Sequence, residues 1–284
     1  MNGMNFFDDE KKNNLVHYEG ALGVFDYDPK EFKIKKFNDG TECLHYCGKG
    51  NSVDLPDGCI NTRSMFSHRK LPDGFSLGEH FDTSNVTNMS GMFAQCKLSG
   101  GFSLGEHFYT SNVTDMSGMF FGRDLSKGFS LGEHFDTSNV TNMSQMFDSC
   151  RLPAGFSLGE HFDTSNVTNM SHMFSHCKSP KGFSFGKKFD TSNVTNMVHM
   201  FSYCKLPKDF TLGEHFDTSN VTDMGGMFWE CRLPKDFTLG EHFDTSKVTD
   251  MGYMFSDCSY GNSDIYDYFK TQNDREVIEK LREL

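Results

Sequence analysis

A sentence of 27 residues is written seven times in this chain, with no insertion or deletion between copies. Its consensus is F-D-T-S-N-V-T-N-M-S-x-M-F-x-x-C-K-L-P-x-x-F-S-L-G-E-H, and the copies begin at Phe81, Phe108, Phe135, Phe162, Phe189, Phe216 and Phe243. A fixed period of this length dictates a stack, because one unit is too small to bury its apolar residues except against its neighbours. Length alone, at 284 residues, suggests two globular domains; the repeat overrides that prior. A stack offers a long binding surface and no evident cleft for chemistry.

Within the unit from Phe81 to His107, Met89, Met92, Phe93 and Cys96 stand at i, i+3, i+4 and i+7, the spacing of one helix face. Ser90, Gly91, Ala94 and Gln95 fall opposite. Asp82, Thr83, Ser84 and Asn85 are residue types that cap helices and close turns through side-chain hydrogen bonds. Phe102-Ser103-Leu104 alternates apolar and polar, which predicts a short strand with Phe102 and Leu104 inward. Stacked units then give a parallel sheet on one side and short helices on the other.

The ends of such a stack need seals. Residues 54–80 read as a degraded first unit that keeps Ser64-Met65-Phe66 and Phe75-Ser76-Leu77. Before it, Gly23 to Tyr27 and Phe32 to Phe37 alternate about Asp28-Pro29, which predicts a β-hairpin cap over residues 1–53. At the other end, Asn273-Asp274 precede Val277, Ile278, Leu281 and Leu284, the pattern of an amphipathic capping helix within 259–284.

The formal charge is −12 and no basic run is present, which argues against nucleic acid and against anionic membranes as partners. No segment reaches the ~20 apolar residues of a membrane helix. The N-terminus lacks a basic start followed by an apolar core, so the chain as encoded reads as cytoplasmic. Of nine cysteines, six (Cys96, Cys150, Cys177, Cys204, Cys231, Cys258) are one repeat position recurring, which reads as a ladder of free, buried thiols. Helices on the outside of a curved stack would hold them too far apart to pair.

The units V-T-N-M-S-x-M-F-x-x-C resemble the BspA-type leucine-rich repeat, in the variant carrying F-D-T-S-N-V-T-x-M, over residues 54–258. The resemblance implies a right-handed leucine-rich-repeat-like solenoid used for protein contact, often on bacterial surfaces, with no catalytic residue in its pattern. It also implies display at the cell surface if a leader precedes the chain. The combined expectation is an α/β solenoid over 54–258 between the two caps.

Disagreements between copies point to function. Most fall at 91, 94 and 95 and their equivalents, where Phe121, His172, His176, His199, Tyr203, Trp229 and Tyr253 appear. Drift on a solvated face is the plain reading; exposed aromatics and histidines on one face are what a protein-binding surface uses. The leading expectation is a non-enzymatic protein-interaction solenoid with an unidentified protein partner and no cofactor. The alternative is a structural or ligand-coating protein that binds glycan or metal through Thr/Ser/Asn or Glu/His ladders.

Other departures offer candidate sites. His172 and His176, with His199 one unit on, could chelate zinc, yet no carboxylate or cysteine completes the set on that face. The Glu-His pair (Glu79-His80 and equivalents, broken by Lys187-Lys188) reads as a solvated turn row, with metal binding or pH response as the sharper alternative. Cys43, His45 and Cys47 share a strand face without a second cysteine pair. Arg123 replaces the ladder cysteine, which places that position near a helix end where a long stem can reach solvent. No phosphate-binding glycine loop, nucleophile motif or isolated carboxylate pair is present.

Overall fold

The computed structural model describes residues 14–98, 101–125, 128–178, 182–183, 185–235 and 237–260, and none of these residues is helical. The helices expected on one side of the stack are overturned. Met89 to Cys96 is a run of turns, and so are its equivalents. The Met92 N–H donates to the Met89 carbonyl and the Cys96 N–H to the Phe93 carbonyl, each at 3.1 Å. Gly91 and Gln95, the third residues of these two turns, have φ of 59° and 48°. Turns that need positive φ at the third position turn alternate peptide groups along the stack. Met89, Gly91, Phe93 and Gln95 accordingly donate to Asp115, Ser117, Met119 and Phe121 of the next unit, at 2.7–3.0 Å.

Helix and tandem turns put the same residues inside, so the apolar spacing could not tell them apart. Energetics separates them. An isolated helix of eight residues is marginal, whereas each unit here offers its neighbour a complete row of acceptors.

The expected parallel sheet at Phe-Ser-Leu is also largely absent. Phe102 and Leu104 do point inward and are buried. Among the described residues, only the first copy forms a ladder there: β5 (Ser52–Val53) pairs in parallel with β6 (Ser76–Leu77). In the other copies the parallel bridges flank the turns instead. One row runs Asn61, Asn88, Asp115, Asn142, Asn169, Asn196, Asp223, Asp250. The other joins pairs such as Lys70 with Lys97 and Asp124 with Arg151. At the C-terminal end this second row becomes β7 (Arg232–Leu233) beside β8 (Ser259–Tyr260). Prolines at 153, 207 and 234 enter the Phe-Ser-Leu side without an amide donor.

Inside, one phenylalanine per unit builds a continuous column. Phe66, Phe93, Phe120, Phe147, Phe174, Phe201, Phe228 and Phe255 stack with centroid steps of 5.3–6.0 Å and interplanar angles of 2–12°. Offset stacks at this separation add to the area they bury. The side chains expected to cap helices close turns instead: Asp82 Oδ1 accepts from Ser84 N–H at 2.8 Å. Thr83 Oγ1, wholly buried, donates to the Tyr109 carbonyl at 2.7 Å.

The N-terminal cap contains two hairpins rather than one. β1 (Val16–Gly20) pairs antiparallel with β2 (Gly23–Tyr27), and β3 (Phe32–Lys36) with β4 (Glu42–Tyr46). The segments on either side of Asp28-Pro29 thus find partners elsewhere, because that turn binds locally, with Glu31 and Phe32 N–H both on the Asp28 carbonyl. Tyr46 seals the stack, its ring 5.4 Å from Phe66 and 5.8 Å from Phe75. The capping helix expected near 273–284 lies outside the described residues.

Arg123 does not reach solvent. It is 6% exposed, its Nε has no hydrogen-bond partner, and burial pushes its guanidinium pKa down. With no helix end to escape from, its stem follows the cysteine column inward, between Cys96 and Cys150.

Candidate functional site on the variable turn face

Two of the three columns where copies disagree share a backbone feature. These two, the equivalents of 91 and 95, lie in the left-handed region in every copy. Glycine takes that conformation freely, and the chain uses it at Gly91, Gly118, Gly122 and Gly226. Elsewhere the same conformation is held by His172 (φ 55°), His176 (52°), His199 (53°), Tyr203 (57°) and Tyr253 (58°). Bulky side chains in such a conformation are disfavoured by about 1 kcal/mol or more each. Phe121 and Trp229 occupy the remaining variable column, that of Ala94.

Five of the seven predicted residues form one ledge. The rings of His172 and His199 are 4.9 Å apart, and those of His176 and Tyr203 stack at 4.2 Å with planes 8° apart. Trp229 closes both rows, 5.4 Å from His199 and 5.0 Å from Tyr203. Tyr253, 77% exposed, stands across a groove from Trp229 and His199. Phe121 is not part of the ledge. Asp148, Ser175 and Ser202 separate it from Trp229 in their column, and it lines another groove with Arg63 and Asp115.

Asp148 is a residue the sequence reading missed. It lies one unit before the histidines, buried, and receives the Ser149 hydroxyl at 2.8 Å. Burial pushes its carboxyl pKa up, while the fields of His172 and His176 oppose that rise. Asp148 thus lies within the electrostatic reach of the histidine pair, and the two histidines sit on consecutive turns rather than on a helix. Among the described residues no group of three His, Cys, Asp or Glu side chains is placed to hold a metal. Burial first, and His199 second, lower the pKa of His172.

The ladder cysteines are free, but not because they are distant. Neighbouring units are hydrogen-bonded in register, which brings equivalent α-carbons to roughly 5 Å, within disulfide range. What distinguishes them is protonation: burial raises Cys96 to about 11 and Cys150 and Cys204 to about 12. The thiols of Cys150 and Cys204 donate to the carbonyls of Phe120 and Phe174, at 3.0 and 2.9 Å. Only Cys47 and Cys258 are part-exposed. Native protein should therefore titrate about two thiols and denatured protein, without reductant, nine. A denatured count well below nine would show cross-linked rungs.

The repeated surfaces carry less information. Threonines 87, 114, 141, 168, 195, 222 and 249 form an exposed row, but their hydroxyls donate to the preceding unit's backbone at 3.0–3.4 Å. Asn112, Asn139, Asn166, Asn193 and Asn220 likewise donate Nδ2 to a serine carbonyl one unit back. These rows hold the stack together, and where the asparagine row ends in Lys247 its ammonium donates to Asn220 Oδ1 at 2.6 Å. The Glu-His side chains are exposed, and the backbone beneath them serves the stack: Lys188 at the break accepts from Thr164 N–H as His107 does from Thr83. A groove of about 730 Å³ between the loops at Phe129 and Phe156 recurs at Leu212 and Leu239, so it belongs to the unit and not to one place.

Fold and face together define a repeat protein of stacked 27-residue coils, with an invariant framework and one variable, aromatic-rich surface. The chain belongs to the family described as Mycoplasma protein of unknown function, DUF285, whose model matches residues 60–181, 123–211 and 206–279. No curated protein and no solved structure matches it. No helix among the described residues is long and apolar enough to cross a membrane.

Proposed function

We propose that the protein is a non-enzymatic binding scaffold that recognises another protein with its turn face. One observation carries this reading: four of the five ledge side chains, His172, His176, His199 and Tyr203, occupy backbone positions that favour glycine, and with Trp229 they meet one another across three units. Other copies fill these positions with glycine or with polar residues, as at Gly118, Gln145 and Ser149. Conformational strain kept at contiguous positions is characteristic of functional surfaces. Aromatic side chains suit the role because they bring large contact area at small entropic cost.

The test is comparative capture. Immobilised native protein, Trp229→Ala and Tyr203→Ala should be exposed to the same extract, and bound proteins quantified. A partner held by the ledge should bind at least tenfold more weakly to both variants, since truncating an interface Trp or Tyr commonly costs ~2 kcal/mol or more. The variants should lose only about 1 kcal/mol of folding stability, through the lost ring contacts. Equal capture by all three proteins would remove the ledge from the binding surface.

A further inference from the structure

The last two units depart from the others together, in three ways, around one groove of about 480 Å³. The residue after Asp223 and Met224 is Gly225, and Gly252 is its equivalent; four earlier units have serine there, at Ser90, Ser117, Ser144 and Ser171. Loss of both side chains opens the floor. Trp229, His199 and Tyr253 supply the walls. A side chain at Gly226 would run into the His199 ring, so that glycine lets the imidazole lie across the backbone and against Trp229.

The third departure is charge. The bridged row carries Asn88, Asn142, Asn169 and Asn196 and a single aspartate among them, Asp115, but at its end it places two aspartates, Asp223 and Asp250, on adjacent rungs, both lining this groove. The fold does not require a carboxylate here. Asn88 Oδ1 accepts the Ser90 N–H at 2.9 Å, as Asp223 accepts that of Gly225 at 3.0 Å and Asp250 that of Gly252 at 2.8 Å. An amide serves the turn equally well. The aspartates add two like charges on adjacent rungs, about 5 Å apart, a repulsion that a bound cation would relieve. Their second oxygens have no hydrogen-bond partner among the described residues. Glu230 and Asp257, exposed in the same two units, leave the surroundings acidic too.

We infer that this groove receives an arginine side chain presented by a partner polypeptide, a reading that rests on the turn face being a protein-binding surface. The match is chemical. A guanidinium stacks on an indole face while its fork donates to carboxylates. The groove holds an indole, a phenol, an imidazole and two carboxylates within two repeat steps. Its opening is shallow and glycine-floored, which suits a flat group at the end of a long stem.

Trp229 is the chain's single tryptophan, so its fluorescence reports on this groove alone. The probe is an acetylated, amidated Gly-Arg-Gly-Arg-Gly peptide, with the citrulline peptide as its neutral isostere. The arginine peptide should shift or quench Trp229 emission saturably in the millimolar range. The citrulline peptide should bind at least tenfold more weakly, and so should the arginine peptide to the Asp223→Asn/Asp250→Asn variant. That variant should unfold like the native protein, because asparagine already stands in this row. No Trp229 response, an equal response in the variant, or a response to calcium chloride without response to the peptide would overturn the proposal. Its failure is separable from failure of the scaffold reading: a captured partner lost in Trp229→Ala but kept in the double aspartate variant would leave the ledge intact and remove the arginine.

Discussion

Replacing Phe174 with alanine should cost about 4 kcal/mol of stability, the upper part of the range for buried phenylalanine. Phe174 is 1% exposed and sits mid-column, 5.7 Å from Phe147 and 5.9 Å from Phe201. Phe183 and Phe185 press on its edge at 5.8 and 5.7 Å. Both neighbouring units lose contacts at once, and little can collapse into the space because the flanking turns are pinned by inter-unit hydrogen bonds. In a stack, stability is close to a sum of nearest-neighbour terms, so the damage should also weaken coupling between the two halves. Urea unfolding should show a lower midpoint and a smaller m-value, the mark of lost cooperativity. Phe174→Leu, which keeps most of the volume, should cost under about 2 kcal/mol. A loss below about 1 kcal/mol in the alanine variant would show that the phenylalanine column is not what binds unit to unit.

The second large effect is acid sensitivity centred on the N-terminal cap. His45, on β4, is 9% exposed and carries a pKa lowered to about 4, through burial first and then the field of Lys35. Arg69 and His68 push in the same direction, while a backbone hydrogen bond involving Ser64 opposes them. The unfolded chain takes up this proton near pH 6.5. Stability is therefore complete above about pH 6.5 and falls as the pH drops towards 4, by about 2–3 kcal/mol. His172, also lowered, acts in the same direction. Asp148 acts oppositely: its raised pKa adds stability as the pH falls through that raised value, and the gain is complete below the ordinary carboxyl range near 4. Thermal unfolding between pH 7 and pH 4 should show the decline in native protein and a much flatter profile in His45→Gln. The same slope in both would place the acid-sensitive group elsewhere.

Several inward positions could be read from one unit. Met89, Met92, Phe93, Cys96, Phe102, Leu104 and Phe108 are all buried. Patterning against a fixed period identified them without any knowledge of backbone geometry. The sequence also held an unused clue to the turns. Gly91, Gly118 and Gly122 fall within two supposed helices, where each glycine would cost a helix about 1 kcal/mol. Their recurrence at two fixed positions is a left-handed-turn signal, masked in later units by histidine and tyrosine. Arg123 misled for a related reason: burial was judged from charge, whereas a column of in-register coils gives the stem no lateral exit.

The sequence alone determined the period, the register of the stack, the inward set and the columns in which copies differ. These follow from side-chain chemistry repeated at constant spacing. Tertiary structure decided where the backbone hydrogen bonds go. Each unit's turn amides find acceptors in the next unit, so the continuous inter-unit hydrogen bonding follows the turns. That choice is cooperative between units and cannot be read from any one of them. It also set the site: left-handed residues on successive rungs bring His172, His176, His199 and Tyr203 together, Trp229 closes them into one surface, and Asp223 and Asp250 become neighbours. Residues 27 apart in sequence meet there only because the backbone between them closes a full coil.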